Sequence, residues 1–193
     1  MARTELHRRV RDLFKGGKGA QPALVLSDEL DALSPEDRRR SAYREGGRAL
    51  VGMLTPGADP VSSVSIIPSG QGPGVTFAAR DRNGFDDDRD EFEATMKVAL
   101  GGRAAEELVF SQPSPGTQSH MSDEVRHIVE KHHTDVLALL SRNRWRLDAL
   151  ASALLRYETL DQSMAYAAAG LPEPGSAPGS FAAAALRATP PAA

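Results

Sequence analysis

Arg44 and Arg48 flank Glu45 in the run Arg44-Glu45-Gly46-Gly47-Arg48. On a helix, positions 44 and 48 stand one turn apart on one face. Guanidinium groups are donors only and have no lone pair for a metal ion. Two of them on one face could instead receive a carboxylate or a phosphate. The expected alternative is internal, with Glu45 or a nearby acid neutralising both arginines. Glu45 is accordingly read as an ion-pair partner rather than a general base. Three histidines, His127, His132 and His133, cluster further on. The i to i+5 spacing of the first two splays their rings, and His133 falls on another face. They are expected on a solvated surface rather than around a metal. Glu106 and Glu107 could support a site from behind, but a helix-surface position is the expectation.

The elements that would position these groups are marked by local signals. Ser34-Pro35-Glu36-Asp37 reads as a helix start, with Ser34 as N-cap, Pro35 at the first helical position and acids in the first turn. That helix should run to about Leu54, where "TPGADP" stops it. Val64, Ile66, Val75 and Phe77 suggest two short antiparallel strands around a Gly/Pro turn. Phe92, Met96, Leu100 and Leu108 share one helical face. Gly101-Gly102 lies inside that helix and costs roughly 1 kcal/mol per glycine against alanine. Such a pair marks close approach by another helix. Residues 122 to 157 read as a helical hairpin with "SRNR" at the turn. Its first helix is lined by Val125, Ile128, Val129, Val136, Leu139 and Leu140, its second by Trp145, Leu147, Leu150, Leu154 and Leu155. The expected fold class is α+β, mostly helical, with a small sheet and a C-terminal helical hairpin.

The chain has 193 residues, of which 40% are hydrophobic and 25% charged, an ordinary balance for one globular domain with tails. A net charge of -3 gives no global pull toward nucleic acid. There are no cysteines, so disulfides and thiolate metal sites are excluded. No apolar run reaches the ~20 residues that span a bilayer, no signal-peptide core is seen, and the expectation is a cytoplasmic protein. Residues 1–20 form a basic amphipathic segment and linker. Residues 21–169 form the domain, and 170–193 a Pro/Ala/Gly-rich tail expected to be disordered. "ALVLSDELDALS" is apolar and ends in acids, but no G-x-x-x-x-G-K-[ST] loop occurs to cradle a nucleotide.

Several segments together resemble the C-terminal peptidase domain of the FtsH-type ATP-dependent zinc metalloproteases. "RRRSAYREGGRALVGMLTPGADPVSSVSIIPSG" is similar to that family's active-site helix and following edge strand. "GVTF" is similar to its next strand, "GGRAAEELVF" to a family signature, and "DEVRHIVE" and "NRWRLDALASALLRYETLD" to its C-terminal helices. The resemblance covers roughly residues 35 to 162 and implies a zincin-like active-site helix. The family's ATPase module and membrane anchor have no match here. The family motif H-E-x-x-H holds zinc with two histidines and uses the glutamate as general base. Here Arg44 and Arg48 stand at the ligand positions, and Glu45 keeps the general-base position. The family's third ligand, a carboxylate, falls where the chain is internally shortened near 119–123. One alignment places His120 there, and another leaves the position empty.

The resemblance with these departures implies a noncatalytic peptidase-like domain, a pseudopeptidase that keeps the scaffold for binding or assembly, with no zinc cofactor expected. One alternative is an active zinc metalloendopeptidase with an atypical site that includes His120. Another is a peptide- or anion-binding module that uses an exposed edge strand at Val64 and Ile66 together with Arg44 and Arg48. A peptide, a protein or an ATPase subunit is the expected partner. Nucleic acid is not, and the chain is expected as a monomer or small oligomer.

Overall fold

The computed structural model of the chain describes residues 33–68, 74–78, 89–111 and 123–175. The basic segment and linker, His120, residues 119–122 of the shortened junction and residues 176–193 of the expected tail lie outside the described residues. The helices are α1 (Pro35–Leu54), α2 (Arg89–Phe110), α3 (Asp123–Arg142), α4 (Arg144–Tyr157) and α5 (Gln162–Ala169), and the strands are β1 (Val61–Ser65), β2 (Val75–Ala78) and β3 (Thr159–Asp161). The fold is α+β and mostly helical, as the sequence suggests.

Helix α1 begins as its sequence dictates. The Ser34 hydroxyl accepts from the Asp37 N–H at 3.1 Å, and Pro35 occupies the first turn, whose amides have no helical acceptor. Thr55 closes the helix, its N–H donating to the Val51 carbonyl at 3.0 Å. Gly57 then turns the chain toward β1 with a φ of +81°, a conformation that favours glycine.

Helix α1 is sandwiched, and adjacent glycines serve its two sides. Gly46 faces α4, where an added Cβ would meet Leu150 and Ala151 at ordinary contact distance. Gly47 faces α2, where a Cβ would lie 2.4 Å from the Ala105 Cβ and 2.6 Å from the Gly101 carbonyl oxygen. A Cβ on Gly101 would in turn lie 2.8 Å from the Gly47 oxygen. The α1–α2 crossing is thus nearly backbone on backbone, as Gly101-Gly102 predicts. Around it Ala42, Leu50, Met96, Ala104, Leu147, Leu150 and Leu154 form a core that excludes solvent.

The sheet has three strands in the order β2-β1-β3, antiparallel throughout. Val64 pairs with Thr76 on one side and Leu160 on the other. This corrects the expectation of an open edge at Val64 and Ile66. β1 is the central strand, both residues are fully buried, and the Ile66 N–H donates to the Glu158 carbonyl at 2.9 Å. Glu158 itself, at φ +62°, turns the chain from α4 into β3.

The hairpin turn is tighter than "SRNR" suggests. Asn143 alone separates α3 from α4, and its side-chain amide donates to the Leu139 carbonyl at 2.9 Å. Two residues read as lining α4 face outward: Trp145 is 59% exposed and Leu155 37%. Arg146 accounts for Trp145, lying 4.2 Å over its ring while donating to the Gly170 carbonyl at 2.7 Å just past the end of α5.

Candidate functional site

The site assembles where α1 passes between α2 and β2. Ala42, Glu45 and Ala49 are buried along one stripe of α1, so Glu45 goes into the core with its neighbours and is only 1% exposed. An ionised carboxylate there requires partners. Thr76 of β2 donates its hydroxyl to Glu45 Oε2 at 2.9 Å. Arg48, one turn along α1, places a guanidinium nitrogen 3.3 Å from Oε1. Gly74 leads into β2 directly above this carboxylate, where a Cβ would lie 2.8 Å from the Glu45 Cγ and 2.9 Å from the Ser65 carbonyl. Backbone therefore covers the acid, and no larger residue fits without displacing it.

Arg44 reaches the other way, to α2. Its Nε donates to Glu106 Oε1 at 2.6 Å, and a terminal guanidinium nitrogen meets the same oxygen. Glu106 is 1% exposed, so the helix-surface reading fails for it. Gly102 makes the crossing possible, since a Cβ there would lie 2.8 Å from the Arg44 Cγ. Glu107, the next residue, is partly exposed and lies 3.3 Å from His133 Nε2 on α3.

Each guanidinium at positions 44 and 48 is thus engaged by a buried carboxylate, the internal neutralisation that the sequence reading favours. The site residues Arg44, Glu45 and Arg48 are brought together, whereas Val64 and Ile66 lie in the sheet interior. Sequence reasoning missed Thr76 and Gly74, which approach Glu45 only through the strand pairing. It also missed the depth of Glu106, although Met96, Leu100, Ala104 and Ala105 on the same helix mark a buried surface there.

The donor set does not fit a zinc ion. Both imidazole positions of the H-E-x-x-H pattern hold cations with no lone pair, and they would repel a dication. Among the described residues no group of three His, Cys, Asp or Glu side chains is placed to hold a metal. The histidine cluster is not the expected solvated face. His127 is exposed, whereas His132 is 6% exposed and the His133 side chain 16%. Both pack in the seam between α2 and α3. No helix among the described residues is long and apolar enough to cross a membrane.

Comparison with known proteins shows the family. The model of peptidase family M41 matches residues 31–123. The ATP-dependent zinc metalloprotease FtsH 3 of Conexibacter woesei is 39% identical over 202 residues, covering 79% of this chain and 26% of the relative. The FtsH of Thermobaculum terrenum is 34% identical over 207 residues, covering 80% of this chain and 31% of the relative. FtsH 4 of Sphaerobacter thermophilus is 37% identical over 105 residues, covering 54% of this chain and 15% of the relative. The chain therefore spans about a third or less of these relatives. The two longer alignments extend over more positions than the part of this 193-residue chain they cover, so the relatives carry residues with no counterpart here. The chain belongs to peptidase family M41 and carries an FtsH-type peptidase domain.

Proposed function

We propose that this domain is a pseudopeptidase: an FtsH-type peptidase scaffold that does not hydrolyse peptides through zinc and acts in binding or assembly. The observation that carries the reading is the pairing of Arg44 with Glu106 and of Arg48 with Glu45. Catalytic zinc in proteins normally has three protein ligands and one open position for water. Here two of the three positions are cationic and already bonded. Glu45, at the general-base position, lies under Gly74 and accepts the Thr76 hydroxyl at 2.9 Å. The relatives are named as ATP-dependent proteases. An ATPase subunit, or a protein that such a subunit handles, is accordingly the proposed partner, met in the cytoplasm.

The test combines elemental analysis of the purified full chain with hydrolysis of casein and of a quenched peptide, with and without chelator. The expected result is no stoichiometric zinc and no chelator-sensitive turnover. Chelator-sensitive turnover by the wild-type chain would overturn the reading. A second arm rewrites the run as H-E-G-G-H through Arg44→His with Arg48→His. Weak metal uptake is expected, since two imidazoles at i and i+4 share a helix face, but no hydrolysis. The third ligand must come from the stretch shortened near 119–123, and positioning errors of even ~1 Å cost ~100-fold in rate. Turnover in this double variant would mean that the arginines alone silence the site.

A further inference from the structure

The α2–α3 seam carries a second inference, independent of the first site. Along α3 the residues facing inward are Val125, Val129, His132, Val136 and Leu140, at steps of three or four. His132 therefore occupies a position that the pattern reserves for an apolar side chain. It is 6% exposed, and its Nδ1 is buried with no hydrogen-bond partner among the described residues. A neutral imidazole in that place forgoes one hydrogen bond. A protonated one brings a charge and puts an N–H at Nδ1, where no acceptor is found among the described residues.

We propose that His132 makes the α2–α3 seam an acid-labile joint, closed when the imidazole is neutral and loosened when it is protonated. Helix α3 rests mainly on α2, with smaller contacts to α1 and α4, so the seam can open without disrupting the α1–α2 crossing.

The groups around the imidazole are mixed in sign. From α2, Glu93 favours its protonation and Lys97 opposes it. From α3 itself, Asp135 favours it and Lys131 opposes it. Burial outweighs them all and holds His132 below its ordinary value of 6.5. His133 is likewise held low, by burial first, with Glu107 pulling its value up and Arg103 pushing it down. The two differ in what protonation yields. His133 would gain an ion pair with Glu107, whose oxygen lies 3.3 Å from Nε2 although not in hydrogen-bonding alignment. His132 has no carboxylate at ion-pairing distance among the ion pairs of the described residues, so it is the one that drives opening.

The direction with pH follows. A group that holds its proton less firmly folded than unfolded contributes fully above its unfolded value of about 6.5, and that contribution is lost as pH falls through the folded value. One linked proton limits the change in the opening equilibrium to about tenfold per pH unit.

The experiment is amide hydrogen exchange on the full chain at pH 7.5 and 5.5, corrected for the intrinsic pH dependence of exchange. Protection in α3 is expected to drop at pH 5.5 by several-fold up to that limit, while protection in α1 holds. His132→Met, neutral and of similar bulk, should abolish the difference, and His133→Gln should leave it. Equal protection of wild-type α3 at the two pH values, or a difference that survives in His132→Met, would overturn the proposal. Should His132→Met fail to fold, the ring titration of His132 in the wild-type chain decides. A midpoint at or above the ordinary histidine value would overturn the proposal, and a lower one would support it.

Discussion

Helix α2 buries titratable side chains on two sides and treats them in opposite ways. Toward α1 it presents Glu106, buried and bonded to Arg44, so a charge is retained with its counter-charge. Toward α3 it accepts His132, buried with one nitrogen unpartnered and favoured as a neutral ring. The first arrangement tolerates burial by pairing, the second by forgoing charge. A paired charge depends strongly on its partner's presence and little on pH near neutrality, since arginine stays protonated there. An unpaired imidazole depends on pH and on no partner. One helix thus separates a mutation-sensitive face from a pH-sensitive one.

The largest blow to the paired face is Arg44→Met. It removes the guanidinium bonded to buried Glu106 and should cost about 3 kcal/mol, at the low end for breaking a buried pair because Arg44 keeps a fifth of its side chain exposed. Adding Glu106→Leu should recover most of that loss, because the buried carboxylate is then gone. Urea unfolding of the single and double variants checks both. A double variant as unstable as Arg44→Met would show that packing, not charge, is at stake.

Gly47→Ala should cost about 2 kcal/mol through overpacking, since its Cβ meets the Gly101 carbonyl and the Ala105 Cβ well inside contact distance. It pushes α1 from α2 and leaves α3 where it is. Thermal unfolding should shift downward by a similar amount at pH 7.5 and 5.5. The smallest effect is expected of Arg48→Met, at about 1 kcal/mol or less. Arg48 is 39% exposed, and Glu45 keeps the Thr76 hydroxyl. A loss as large as that of Arg44→Met would mean that both pairs bear equally on the fold.

What the sequence discloses follows from the range of the forces involved. Ser34 and Pro35 announce α1 because capping is a matter of three or four residues. Gly101-Gly102 announces a close crossing because no other demand explains two poor helix formers in the middle of a helix. β3 is not announced. It has three residues, and they are extended because β1 offers an unpaired edge that lies far away in sequence. The helix α5 is equally quiet, at eight residues, although Asp161 does cap it by accepting from the Met164 N–H at 2.8 Å. At the candidate site the chemistry of Arg44, Glu45 and Arg48 is legible, and so is the pairing of Arg48 with Glu45. The partner Glu106 is not, since only the helix crossing selects it over Glu107. The placement of His132 is recoverable in retrospect. Judged by charge it reads as surface, but judged by its interval from Val129 and Val136 it belongs to the buried stripe.

Trp145, stacked by Arg146 beside Gly170, has an optical consequence. It is the chain's single tryptophan and stands more than half in water. An indole already in water shifts its emission little when the chain unfolds. What it senses is the corner where α4 begins and α5 ends, one residue removed from the Asn143 turn. Fluorescence of this protein is therefore a local gauge of that corner and would under-report melting of the α1–α2 crossing. Circular dichroism weights the described helices by length, and the gap between the two signals would measure how far the corner and the crossing unfold together.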